Sequence, residues 1–267
     1  MNRILAAMFC LMLSGVLPVH AEDAVLAELF QSRNVAGTLV ISSQDGETIY
    51  VHNEERARTA YLPASTFKVL HTLIAMEEGG VADEKEVVPW DGKHRGPASW
   101  DRDQSIETAF GVSCIWFYQH LAGRMGSEVY TEYLKKTGYG NAQAGPDVRS
   151  FWLEGDLRIS AMEQLDFLKG FHARRYPFNR ASYDLVERLM LVDQSEMSMI
   201  RAKTGWVQKG KPEIGWYVGY VETLENVWFF AMNMDILEPE ESRFRQIITM
   251  EALKSKGIWG NAGMKKL

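Results

Sequence analysis

Cysteine is nearly absent from this chain. Its 267 residues include two, Cys10 and Cys114, and Cys10 lies in an apolar run at the N-terminus. If that run is removed, Cys114 has no partner within the chain, and an intramolecular disulfide is excluded. A chain of 30.4 kDa buries enough apolar surface to fold without such a staple, even in an oxidising compartment. Basic runs are missing as well. The net charge of −6 and pI near 5.6 offer no basic face, so no nucleic-acid partner is expected. Histidine is scarce: His20, His52, His71, His94, His120 and His172 are the six. None is spaced as a metal ligand, no Cys-x-x-Cys occurs, and no metal is expected. The acidic groups Glu54-Glu55 and Glu238 to Glu241 read as solvated surface. There is no internal repeat or low-complexity tract.

Long apolar runs are limited to one. Met1-Asn2-Arg3 gives a positive start, residues 4–17 are almost unbroken apolar, and Val19-His20-Ala21 offers a small-x-small cleavage site. The run falls short of the roughly 20 residues that a membrane helix needs. Phe9, ahead of Cys10, is too bulky for a lipoprotein signal. The expectation is a signal peptide over residues 1–21, cleaved after Ala21, that delivers residues 22–267 to the periplasm as one domain without stable membrane association.

What is present reads as strands, then helices, then strands. A helix is expected over residues 24–32, and strands over 38–43 and 47–52 with Asp45-Gly46 as their hairpin turn. Residues 66–78 have a helical pattern that Gly79-Gly80 ends. Further helices are expected over 106–110, 115–125, 127–136, 161–173 and 183–192; Ser160 and Glu163 form a capping box before the fourth. Residues 198–205, 215–222 and 227–235 are rich in β-branched and aromatic residues, as strands are, and 240–256 reads as a closing helix. The implied fold class is α/β (α+β): an antiparallel sheet built from both ends of the chain and flanked by helices, with an inserted all-helical lobe. The lobes would run over about 22–70 with 193–267, and about 71–192, leaving a cleft between them.

Two motifs carry chemistry. Ser65-x-x-Lys68 at a helix start puts both side chains on one face, a turn apart. A desolvated lysine there could deprotonate the serine, and the helix N-terminus favours a developing oxyanion. Alternatively, Ser65 is only an N-cap and Lys68 a surface lysine, and the tetrad alone favours this reading, because roughly one such match is expected by composition in a chain of this length. Lys203-Thr204-Gly205 would present a cation and a hydroxyl at the end of a strand, with glycine letting a ligand approach the backbone. The triplet recurs as Lys136-Thr137-Gly138 at a helix end, so position must choose between them. Free Cys114 reads as a small buried residue rather than a reactive thiol.

Pro63-Ala64-Ser65-Thr66-Phe67-Lys68, Tyr139-Gly140-Asn141, Phe151-Trp152-Leu153-Glu154-Gly155 and Arg201-Ala202-Lys203-Thr204-Gly205, in this order, resemble the class D (oxacillinase-type) serine β-lactamases. The resemblance runs from about Val35 to Ile258 and implies the serine β-lactamase and penicillin-binding-protein-like fold. It implies that Ser65 attacks the β-lactam carbonyl of penicillins and related antibiotics, with Lys68 carboxylated by CO2 as the general base. It also implies that Trp152 holds that carbamate in a pocket with Phe67, Ile115 and Leu153, and that Ser113 passes a proton to the β-lactam nitrogen. The Ser65 and Trp206 N–H groups would form the oxyanion hole, and Lys203, Thr204, Gly205 and Arg245 would line the substrate carboxylate. Apart from CO2, no cofactor is expected, and the protein would be a monomer or homodimer. Trp100 borders the cleft and could touch substrate or merely pack. The connection 207–213, which contains Lys209, is similar in length to that of carbapenem-hydrolysing relatives. Two positions depart from the family pattern of Ser-x-Val, often followed by Pro: Ile115 and Trp116. Ile115 adds a methylene beside the carbamate, and Trp116 leaves the local helix start open. The competing readings are a β-lactam sensor that stays acylated and a D,D-peptidase.

Overall fold

In the computed structural model, which describes residues 20–260, the two ends of the chain meet in one antiparallel sheet. The expected signal peptide lies outside the described residues as far as residue 19, as does Cys10. Helix α1 (Ala24–Gln31) starts at Asp23, whose carboxylate accepts from the Val25 and Leu26 N–H groups. Strands β1 (Gly37–Ser43) and β2 (Ile49–His52) form the expected hairpin. The Asp45 carboxylate takes the Ser43 hydroxyl at 2.6 Å, and Gly46 adopts φ +79°. Helix α2 (Glu54–Arg58) follows, and then α3 (Lys68–Glu77).

The inserted helices are α4 (Ile106–Gly111), α5 (Ile115–Met125), α6 (Ser127–Thr137), α7 (Ala161–His172) and α8 (Arg180–Leu189). The Ser160–Glu163 capping box is present, with bonds of 2.7 and 3.2 Å. The chain then returns to the sheet through β3 (Leu191–Gln194), β4 (Ser198–Val207), β5 (Glu213–Thr223) and β6 (Val227–Ile236), and ends with α9 (Phe244–Ser255). The strand order is β2-β1-β6-β5-β4-β3. Pairing of β1 with β6 joins the first strand to the last, which is how both termini make one sheet.

Every residue of β1 is buried because the sheet is covered on both faces. On one face, α1 and α9 close over Ile41, Tyr217, Phe230 and Met232. The other face, with Val40, Val218, Phe229 and Ala231, shares a continuous core with the helical block. Helix α7 belongs to that block in sequence but packs on β6, β1 and β5, so the two lobes are not separate bodies.

Two expectations need correction. Residues 191–194 form edge strand β3, whereas the sequence suggested a helix continuing to 192. All four β3 side chains are exposed, so no buried face gave a period to read. Glu54-Glu55 opens α2, where Glu55 is exposed and Glu54 accepts from Arg58. The closing helix starts at Phe244, after a 3-10 turn over Pro239–Arg243.

Candidate active site

Ser65 lies inside a 3-10 turn, Ala64–Phe67, that runs straight into α3. The turn makes no side-chain cap, so the N-cap reading of Ser65 fails. Its entry is sharp, with Ala64 at φ +48°, and is held from two sides. The Ala64 N–H donates to the Trp152 carbonyl at 2.9 Å. Thr66 Oγ1 donates to the Pro63 carbonyl at 2.8 Å and accepts from Gln164 Nε2 at 2.9 Å.

Lys68 opens α3 and is fully buried. Its Nζ donates to Ser65 Oγ at 2.7 Å and lies 5.1 Å from the Tyr118 ring centroid. Burial, reinforced by the charge of Lys203, holds its amine well below the ordinary lysine range. A neutral amine beside a serine hydroxyl can take its proton.

Strand β4 runs against this turn. A Cβ on Gly205 would lie 2.9 Å from the Pro63 carbonyl oxygen and 3.0 Å from Thr66 Cγ2, so only glycine lets strand and turn meet this closely. The triplet Lys203-Thr204-Gly205 therefore flanks Ser65. Lys136-Thr137-Gly138 caps α6 instead: Gly138 takes φ +60° and Thr137 Oγ1 donates to the Tyr133 carbonyl at 2.7 Å. Lys203 is buried, and its Nζ donates to Ser113 Oγ at 3.1 Å. Burial, with the Arg245 charge behind it, pushes its amine down to about 7.

Arg245 reaches in from α9. Its Nη1 donates to the Gly205 carbonyl at 2.6 Å, and its guanidinium lies 5.6 Å from the Trp206 ring centroid. Burial lowers it to about 10. A Cβ on Gly215, opposite Trp206 in the β4–β5 register, would lie 2.6 Å from Arg245 Cδ, so glycine there makes room for the arginine. Trp206 Nε1 donates to Glu213 at 2.6 Å, and Lys209 Nζ ties the β4–β5 connection to the Glu154 carbonyl at 2.9 Å.

Ser113 sits between α4 and α5 at φ +56°, a region that few side chains adopt. Two indoles fix this turn: Trp100 Nε1 donates to the Val112 carbonyl at 3.0 Å, and Trp116 Nε1 donates to the Trp100 carbonyl at 2.8 Å. Trp116 thus replaces proline without displacing the helix start, which remains at Ile115 with Cys114 as N-cap. Trp100 is buried. Cys114 is also buried, its thiol pushed up to about 11 by burial, which favours the protonated form.

Trp152 completes the site. It is fully buried, and its indole N–H has no hydrogen-bond partner among the described residues. Phe67 (5.8 Å between centroids), Phe151 (5.0 Å) and His71 (5.1 Å) surround it. Ile115 and Leu153 are half-buried against the same core. The sequence reading passed over His71, Tyr118 and Tyr130. His71 was within reach, because it follows Lys68 by three residues on a helix. Tyr118 and Tyr130 come from α5 and α6, and no local pattern announces them.

Lys68, Lys203 and Arg245 hydrogen-bond only to hydroxyls and backbone carbonyls among the described residues. The Arg245 guanidinium, and Lys203 in its protonated form, are desolvated cations without a carboxylate partner there, and they favour an anionic ligand. No group of three His, Cys, Asp or Glu among the described residues could hold a metal.

The chain was compared with known proteins. The penicillin binding protein transpeptidase domain family matches residues 36–253. Beta-lactamase OXA-48 of Klebsiella pneumoniae is 40% identical over 229 residues, 86% of each chain. Beta-lactamase OXA-5 of Pseudomonas aeruginosa is 36% identical over 241 residues, 89% of this chain and 90% of that one. Among solved structures, the class D β-lactamase YbXI from Nostoc superposes with a TM-score of 0.85 at 37% identity, covering 87% of this chain and 98% of that chain. FUS-1 (OXA-85), a class D β-lactamase from Fusobacterium nucleatum subsp. polymorphum, gives a TM-score of 0.87 at 33% identity, with coverages of 90% and 100%.

Proposed function

The chain belongs to the class D β-lactamases and is a β-lactamase, and from that premise we propose that Ser65 opens the β-lactam ring as an acyl-enzyme and that Lys68, carboxylated by CO2, is the base. The observation that carries this is the 2.7 Å contact between Lys68 Nζ and Ser65 Oγ at a place where the ammonium form is disfavoured. The buried Trp152 N–H without an acceptor supports the second half, because a carboxylated lysine would give it one. In carboxylation the amine nitrogen bonds to the CO2 carbon, one C=O electron pair moves to oxygen, and the nitrogen's proton passes to solvent water. The bound group supplies a carboxylate that can accept a proton beside Ser65.

The other residues follow from their places. Ser65 and Trp206 N–H groups would hold the oxyanion, on the turn and the strand that Gly205 brings together. Ser113, 3.1 Å from Lys203, would carry the proton to the departing β-lactam nitrogen. Lys203, Thr204 and Arg245 would bind the substrate carboxylate.

A chromogenic cephalosporin tests the proposal. Many turnovers per enzyme, accelerated by bicarbonate, are expected; a single stoichiometric burst that bicarbonate cannot prolong would replace the proposal with a sensor-like protein that stays acylated. The pH profile adds a second reading. Lys203, at about 7 rather than 10.5, is charged below pH 7 in the free enzyme and loses its charge above it. For a carboxylate-bearing substrate, kcat/KM should therefore fall above pH 7 by up to about tenfold per unit. Saturated kcat should fall less, because bound carboxylate holds the proton on Lys203. Lys203→Ala should lack this limb; an unchanged limb would assign it to another group.

We also propose export to the periplasm with cleavage after Ala21. Support comes from where the fold takes hold: Glu22 bridges to Val51, the Asp23 N–H donates to the Val51 carbonyl at 2.8 Å, and Lys256 binds the Asp23 carboxylate at 2.6 Å. His20, which donates to Glu54 at 2.8 Å, would leave with the signal. The intact mass of the periplasmic protein reads the cleavage site directly.

A further inference from the structure

His71 is buried next to this chemistry and has no role in the scheme above. It lies one turn beyond Lys68 on α3, fully buried, and its ring meets those of Tyr118 (4.8 Å between centroids), Trp152 (5.1 Å) and Tyr130 (5.1 Å) edge-on. Its Nε2 is 2.5 Å from the Tyr130 hydroxyl, and its Nδ1 has no partner among the described residues. Burial, with the Lys68 charge second, holds the imidazole well below its usual range, so the ring is neutral and carries one proton.

The hydrogen bonds assign that proton. Among the described residues the Tyr130 hydroxyl has this one partner. If Tyr130 donates to Nε2, the phenol and Nε2 satisfy each other and the ring proton sits on Nδ1. If Nε2 donated instead, the phenol proton and the Nδ1 lone pair would both be stranded in an apolar interior, the costlier arrangement. Nδ1–H is therefore a buried donor without an acceptor, as is Trp152 Nε1–H. Two buried donors thus lack acceptors on rings whose centroids are 5.1 Å apart, one of them on the helical turn after Lys68, and two oxygens of one group would satisfy both.

We propose that His71 is a positioning residue for carboxylated Lys68, its Nδ1–H sharing with the Trp152 N–H the two oxygens of that group, in the tautomer that Tyr130 sets. The inference rests on the reading of Lys68 as the carboxylated base. It makes the carbamate's stability, and not only its basicity, a property of the aromatic cluster behind the site.

The test is 13C NMR of the mature enzyme titrated with 13C-bicarbonate, with Lys68→Ala as the blank. His71→Asn keeps an N–H donor near the Nδ1 position, whereas His71→Phe keeps the ring and loses the donor. His71→Phe should need about tenfold or more bicarbonate for half-carboxylation, while His71→Asn stays within about threefold of the native enzyme. Turnover of His71→Phe should recover at high bicarbonate, which a purely structural defect would not do. A native midpoint in His71→Phe, or equal impairment in both variants, overturns the role of His71. If His71→Phe does not fold, Tyr130→Phe carries the test: freeing the tautomer should raise the midpoint measurably, and an unchanged midpoint overturns the proposal. A native enzyme with no carbamate signal at any bicarbonate concentration would instead overturn the reading of Lys68 itself.

Discussion

Lys68→Ala should lower β-lactam turnover by at least about 10³-fold, since it removes general-base assistance from two successive proton transfers. The defect should have a particular form. Ser65 keeps its turn, because the Ala64–Trp152, Thr66–Pro63 and Gln164–Thr66 hydrogen bonds that fix it do not involve Lys68. Gly205 still holds β4 against the turn, so the proposed oxyanion hole survives. Acylation slows but can still occur at a strained lactam. Hydrolysis of the resulting ester needs an activated water, and with the base gone the ester should accumulate. Intact-mass spectrometry after incubation with a penicillin should show one added β-lactam on Lys68→Ala and none on Ser65→Ala. Bicarbonate should rescue neither variant. Fast turnover in Lys68→Ala would move the base to another residue; an adduct on Ser65→Ala would move the nucleophile.

Much of this site was legible in the sequence wherever chemistry followed local spacing. Ser65 and Lys68 are three residues apart on a helical turn, and they touch at 2.7 Å. Asp45-Gly46 makes the hairpin turn and Ser160-x-x-Glu163 caps α7, as their spacing requires. The choice between the two Lys-Thr-Gly triplets was also readable, because a strand pattern surrounds Lys203 and a helix end surrounds Lys136. Features held by distant partners were not legible. The left-handed backbone of Ser113 is fixed by a relay of Trp116 to Trp100 to Val112 that no local rule connects. The Tyr118–Thr72 and Tyr130–His71 pairs join α3 to helices more than forty residues away, so the polar cluster behind Lys68 exists only once α3, α5 and α6 have packed. Edge strand β3 was missed for the converse reason: exposed on every side chain, it is specified by backbone pairing with β4 alone.

Trp152→Phe should cost about 10- to 100-fold in kcat/KM at low bicarbonate, the worth of one hydrogen bond to a charged group, and should recover much of it at high bicarbonate. The substitution is selective. The carbonyl of residue 152 still accepts from Ala64, so the Ser65 turn keeps its anchor. Phenylalanine retains an aromatic face for the rings of Phe67, Phe151 and His71. What disappears is an N–H that has no partner in the uncarboxylated protein. Removing an unsatisfied donor stabilises that protein, which offsets part of the cost of the smaller ring. The acid side of the pH profile should move in a defined direction. CO2 adds only to the neutral amine, so protonation of Lys68 competes with carboxylation as pH falls. Because burial already holds the Lys68 amine well below its ordinary range, protonation of that amine competes with carboxylation only at lower pH than it would for an ordinary lysine. A carbamate weakened by tenfold loses that competition about one pH unit sooner, so the acid limb of Trp152→Phe should shift upward by about one to two units. An acid limb that stays in place, with turnover indifferent to bicarbonate, would mean that the indole serves the packing of the loop rather than the lysine.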